Sequence, residues 1–146
     1  SGMSFAALTS GICLANAGLG VVHGFASSAG GMFEIPHGVL CGTLMAKANE
    51  VNVRELRKKN SNPAALRKYA SLGQLFLEEG TGSDDYFIDG FIRFLSDITD
   101  RFNIPRLAGY GIFRQDVGPV CNRTQIKNNP VRLEQEDLEE ILFARL

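Results

Sequence analysis

Ser83-Asp84-Asp85-Tyr86-Phe87-Ile88-Asp89-Gly90-Phe91-Ile92-Arg93-Phe94-Leu95-Ser96-Asp97-Ile98, residues 83 to 98, decides the fold class. Its apolar stripe is Phe87, Ile88, Phe91, Phe94, Leu95 and Ile98. These positions follow a 3.6-residue period, the mark of an amphipathic helix, and not the alternation of a half-buried strand. Ser83 stands where an N-cap is needed, and Asp84 and Asp85 put negative charge in the first turn, where the helix dipole favours it. Asn103-Ile104-Pro105 ends the helix.

The same signals recur on both sides. Upstream, Asn62-Pro63 reads as an N-cap followed by proline at the first helical position. The helix it opens carries Leu66, Tyr69, Ala70, Leu72, Leu75, Phe76 and Leu77, and Gly80-Thr81-Gly82 stops it. Another helix begins near Pro36 and passes through Val39, Leu40, Leu44 and Met45 toward Val51. Ser4–Ala17 and Val21–Ala29 read as helices, with Gly30-Gly31 as the break after the second. Downstream, Arg114–Cys121 reads as a short helix and Glu134–Leu146 as a final one, with Leu138, Ile141, Leu142 and Leu146 inward. No segment sustains strand alternation, so the expected fold is all-α, with six or seven helices.

Charge is unevenly spread. Glu34 is the only charged side chain before Lys47, after which charges are dense and mixed. The first helices are therefore expected at the centre, buried on all sides, with the aromatics of the Tyr86–Phe102 helix packed against them. Met3 to Val22 is about as long as a membrane span, ~20 residues, but its three glycines, two serines, Thr9 and Asn16 make it too polar for one. No basic region precedes Ser4–Leu8, so it is not read as a signal peptide. Ser1-Gly2-Met3 resembles an expression scar followed by a start. The net charge of −1 gives no electrostatic footprint for nucleic acid or an anionic membrane. Cys13, Cys41 and Cys121 form no C-x-x-C pair, which argues against a disulfide framework or zinc knuckle and for a reducing cytoplasm. The run Arg54–Asn60 is interrupted by Glu55 and reads as a solvated helix end.

The two histidines of the chain, His23 and His37, bracket one segment rich in glycine and serine. On a single straight helix, fourteen positions would hold them ~21 Å apart, too far to share an ion. Gly30, Gly31 and Pro36 supply what a chain reversal needs, namely access to positive φ and a stop. The spacing permits a shared metal. It equally permits two histidines satisfied in a core. Two imidazoles do not complete a catalytic site, which needs at least three protein ligands, and Glu34 is the only carboxylate nearby.

Asn16 to Ala26, followed by Gly30-Gly31-Met32-Phe33-Glu34-Ile35-Pro36-His37-Gly38, resembles the signature of the iron-containing (group III) alcohol dehydrogenases. That pattern is close to G-L-x-x-x-H-x-x-A-H-x-x-G-x-x-x-x-x-P-H-G. Asn103-Ile104-Pro105-Arg106-Leu107 is similar to a G-I-P-x-x-L element late in the family. Asn129-Pro130-Val131-Arg132 with Glu136-Asp137-Leu138 is similar to its N-P-R ending. Glycerol dehydrogenases and dehydroquinate synthases of the wider superfamily fit less well.

The resemblance implies the C-terminal helical domain of the dehydroquinate synthase-like fold over residues 4–146. It implies that the N-terminal dinucleotide-binding domain and the first helix or helices of the helical domain lie outside this chain, together with two further metal ligands. It implies His23 and His37 as ligands of iron or zinc, NAD or NADP bound mainly by the other domain, and a small alcohol or aldehyde as substrate. Hydride would pass between that substrate and the nicotinamide, with the isolated chain inactive. Ser27 stands where many members have a histidine suited to moving a proton. A hydroxyl relays a proton but does not hold one near neutral pH. Leu14 and Asn16 are candidates for the substrate pocket, although each also reads as plain core or a helix end. The apolar face turned to the absent parts predicts self-association. A non-catalytic helical interaction module and a maleylacetate-reductase-like enzyme are the alternatives.

Overall fold

The computed structural model describes residues 2–78 and 80–146, and the elements among them are seven α-helices and two short 3-10 turns. The helices are α1 (Gly2–Ala17), α2 (Val21–Gly30), α3 (His37–Lys59), α4 (Pro63–Leu77), α5 (Asp84–Arg101), α6 (Val117–Arg123) and α7 (Gln135–Phe143). No strand occurs among the described residues, as the periodicity implies.

Capping chemistry sets most of the boundaries. The Tyr86 amide donates to Ser83 Oγ at 3.1 Å to start α5. The Ala65 amide donates to Asn62 Oδ1 at 3.1 Å to start α4, with Pro63 next. α3 runs well past Val51 and ends where Asn60 takes a left-handed φ of 45°, with Arg57, Lys58 and Lys59 in its last turn. There the cations face the negative end of the helix dipole. α4 stops at Leu77 because Glu78 turns left-handed, before the expected glycine stop.

α3 is the spine on which two cores are built. Its stretch from Leu40 to Val51 contributes Leu40, Leu44, Ala48 and Val51 to a core with Phe25 of α2, Val120 of α6 and Ile141 and Leu142 of α7. Its last two turns contribute Val53 and Leu56 to a separate core with Tyr69 and Ala70 of α4 and Phe87, Ile88 and Phe91 of α5. The α5 aromatics thus meet α4, not the first helices: the Phe76 ring lies 4.6 Å from that of Phe94 and 5.6 Å from that of Phe91. An apolar stripe packs against the facing stripe that can come closest, and α4 offers Gly73 at the crossing.

The expectation of a buried α1 is corrected. None of its residues is buried, and Met3 and Phe5 are 81% and 72% exposed. The chain bends by 93° between α1 and α2, through Gly18 at φ +74°, so α2 enters the first core while α1 leaves it. Lack of charge shows which environment a helix tolerates, not that its own chain supplies it. Among the described residues no single helix is long and apolar enough to cross a membrane.

The segment read as a solvated helix end also does more. Glu55 is 3% exposed, between Arg54, Lys58 and Lys59. Arg54 reaches on to Asp137 at 2.7 Å and Glu140 at 2.6 Å, tying α3 to α7. Burial alone would raise the Glu55 carboxyl. The hydrogen bonds from Arg54 and Lys59 and the charges of Lys58 and Lys59 outweigh it and hold the group below the ordinary carboxylate value. Glu140 is lowered likewise, against its own desolvation, by Lys47 and Arg54. A carboxylate depressed in the folded state stabilises it above the unfolded-state pKa, ~4.3, and that contribution is lost as pH falls through the folded value. Thermal unfolding should therefore show stability steady down to about pH 5 and falling below about pH 4. Glu55→Gln should cost about 2 kcal/mol at pH 7 and flatten the acid fall. An unchanged acid profile in that variant would show that Glu55 does not drive it.

Candidate metal centre

α2 and α3 form a helical hairpin, and its turn brings the histidines together. α2 closes with the Met32 and Phe33 amides donating to the Ala29 carbonyl at 3.0 and 2.9 Å. Ile35 is buried and anchors the crossing, and Pro36 opens α3 at φ −58°. The reversal happens without positive φ at Gly30 or Gly31, contrary to the reason expected from sequence. Gly31 matters for its size: a Cβ there would press to 3.2 Å from the Ser27 carbonyl oxygen.

Across this turn the His23 and His37 ring centroids lie 5.6 Å apart. One helical turn beyond His37, Cys41 places its Sγ 3.5 Å from His37 Nε2. One donor atom from each of His23, His37 and Cys41 lies within 4.8 Å of the other two, the one such group of three among the described residues. His23 and Cys41 are half-buried and His37 is exposed. Glu34 is exposed and stands outside the group.

The donor set fits a divalent transition metal. A tetrahedral ion ~2.1 Å from imidazole nitrogen and ~2.3 Å from sulfur holds its donors roughly 3.4–3.7 Å apart. The His37–Cys41 pair is already at that separation, and all three donors lie within 4.8 Å of one another. Partial burial raises the Cys41 thiol above its ordinary pKa. Cys121, buried in the core beside Glu139, is pushed up to about 12 by burial and then by that charge, so it is an inert core thiol.

Two contacts hold His23 in place. Directly after it, Gly24 lies so close to the chain beyond α6 that a Cβ would sit 2.8 Å from the Gln125 carbonyl oxygen. At the start of α2, the Val21 amide donates to Asn129 Oδ1 at 3.2 Å, while Asn129 Nδ2 donates to Asn52 Oδ1 at 2.6 Å and the Val131 carbonyl at 2.8 Å. The Asn129-Pro130 motif near the C-terminus thus fixes the helix end two residues before His23.

His23 also lines an open cleft of about 380 Å³, with Leu19, Ser27, Met32, Arg123 and Lys127 among its walls. Ser27, one turn after His23, is exposed to the same cleft. Leu14 and Asn16 are not in its wall. Leu14 is 42% exposed on α1, so it shares no buried layer with His23. Asn16 donates from Nδ2 to the Ile12 carbonyl at 2.8 Å in the last turn of its own helix. Cys41 is legible in the sequence as a partner of His37, because i and i+4 share a helix face, although no C-x-x-C pairing marks it. Arg123 and Lys127 carry no sequence signal, since only the path of the chain after α6 brings them to the cleft.

The model of the Fe-containing alcohol dehydrogenase family, C-terminal, matches residues 1–146, and the chain belongs to that family. Its relatives include Alcohol dehydrogenase 4 of Schizosaccharomyces pombe, 40% identical over 99% of this chain and 32% of that protein. The NADPH-dependent butanol dehydrogenase of Clostridium saccharobutylicum is 26% identical over 95% of this chain and 36% of that protein. The crystal structure of a 1,3-propanediol oxidoreductase shares the fold, with a TM-score of 0.84 at 24% identity over 99% of this chain and 37% of that one. The chain thus spans about a third of the length of these relatives.

Proposed function

We propose that the chain is the C-terminal helical domain of a metal-dependent dehydrogenase that moves hydride between a small alcohol or aldehyde and NAD or NADP. The observation that carries this reading is the convergence of His23 and His37 across the α2–α3 turn in a member of this family. The two imidazoles would hold a divalent iron or zinc ion, which when bound supplies Lewis acidity toward the substrate oxygen. Ser27 lines the same cleft as His23, where its hydroxyl would pass a proton between substrate and water. Further ligands, and the domain that binds the dinucleotide, would belong to the part of the protein outside this chain. The exposed apolar side chains of α1, Met3, Phe5, Leu8 and Ile12, fit a surface covered by that part or by another copy. We place the protein in the cytoplasm, consistent with its three unpaired cysteines.

Joining the chain to the preceding segment of its native protein tests this. With added iron or zinc, the joined protein should reduce nicotinamide cofactor in the presence of a small primary alcohol, and the isolated chain should not. Absence of turnover in the folded, metal-loaded protein across short alcohols and aldehydes would sink the proposal and favour a non-catalytic helical module. Turnover confined to an unsaturated keto acid would favour the maleylacetate-reductase-like alternative.

A further inference from the structure

We propose that Cys41 is a third protein donor to this centre, so that the chain alone offers two imidazoles and one thiolate to a divalent cation and favours zinc or cobalt over harder metals. This rests on His23 and His37 sharing an ion, and adds to it a donor of different chemistry. Cys41 follows His37 by four residues on α3, so one helix face carries both, and Sγ lies 3.5 Å from Nε2. The donor atoms of all three residues lie within 4.8 Å of one another. Neither of the other thiols shares this position: Cys13 is on exposed α1, and Cys121 is in the core.

In the isolated chain, three N and S ligands with a fourth position open to solvent match the ligand count of catalytic zinc sites, and a thiolate shifts preference toward softer ions. Binding forms an Sγ–metal bond, and the thiol proton leaves to solvent, since a coordinating thiol is deprotonated outright. No electron changes hands. A donor arriving from the rest of the protein would have to take the open position, displace the thiolate or raise the coordination number.

Titration of the metal-free 146-residue chain with Co²⁺ alone tests this, in a Cys13→Ser background that removes the exposed thiol of α1. The expected result is a near-ultraviolet thiolate-to-cobalt charge-transfer band with the wild-type Cys41. It should be absent in Cys41→Ser and Cys41→Ala, with affinity roughly tenfold to a hundredfold weaker, at least the loss found when an outer-shell partner is removed. Binding that is abolished by His23→Ala but shows no such band, or keeps its band and affinity without Cys41, overturns the thiolate donor and leaves the histidine pair standing. Binding indifferent to His23→Ala overturns the histidine reading itself. No cobalt binding by the folded wild-type chain overturns both.

Discussion

Gly73→Ala should destabilise the chain by about 3 kcal/mol, although the same change in an open helix position would stabilise it by up to about 1 kcal/mol. The sign is decided by what lies over the glycine. Gly73 is buried in α4, and a Cβ there would run into the carbonyl oxygen, carbonyl carbon and Cα of Phe87 on α5. A clash with the tip of a flexible side chain is relieved by a rotamer change, but a clash with backbone moves a whole helix. Gly90, on the facing helix, has the flexible Leu77 side chain as its nearest neighbour. The two glycines let α4 and α5 cross closely enough to stack Phe76 on Phe94 and to bury Phe87 and Phe91. Separating the helices also loosens the second core, where Tyr69 and Ala70 face Phe87, Ile88 and Phe91. Gly11→Ala is the control. That position lies within α1 with no atom near the site of a new Cβ and no proline after it, so the change should be neutral or mildly stabilising. Equilibrium denaturant unfolding measures both. A Gly73→Ala protein as stable as wild type would mean that α4 and α5 do not cross this closely in solution.

The helices were legible where local chemistry writes them. The α5 stripe, the Ser83 and Asn62 caps and the prolines at 36 and 63 act within a few residues, so period and turn chemistry alone place those elements. Partners were less legible. α1 and α2 look alike in sequence, apolar and uncharged, yet one is exposed throughout and the other reaches the core. The difference lies in a 93° break over Gly18-Leu19-Gly20, and its direction is set by a segment more than a hundred residues away: Asn128 Nδ2 donates to the Ala17 carbonyl, and Asn129 receives the Val21 amide. Nothing near residue 20 announces that. At the candidate centre the histidine pair was legible through its two ends and through the family resemblance. The Arg54 network and the cleft cations were not, because each exists only after distant segments meet.

His23→Ala and His37→Ala should each weaken Zn²⁺ binding to the isolated chain by about a hundredfold or more, and the double variant should lose much less than the two losses added. One hundredfold corresponds to about 2.7 kcal/mol. The size follows from linkage: two donors held on one hairpin bind the same ion as a chelate, and the second bond forms at high effective concentration. Removing either imidazole takes away the advantage the pair shares. What remains is a partial site, so the second substitution has less left to lose. Two separate single-histidine sites would behave differently, each losing its own small affinity, with the losses adding. The non-additivity of the cycle therefore reports whether the imidazoles that stand 5.6 Å apart between their centroids share one ion. Folding should not confuse the reading. His37 is exposed and His23 only half-buried, neither belongs to either core, and substitutions at such positions shift stability by about 0.5 kcal/mol or less. Calorimetric titration of the four proteins, with unfolding curves beside it, settles the point. Additive losses in folded variants would return the histidines to a packing role and remove the ground on which the catalytic reading stands.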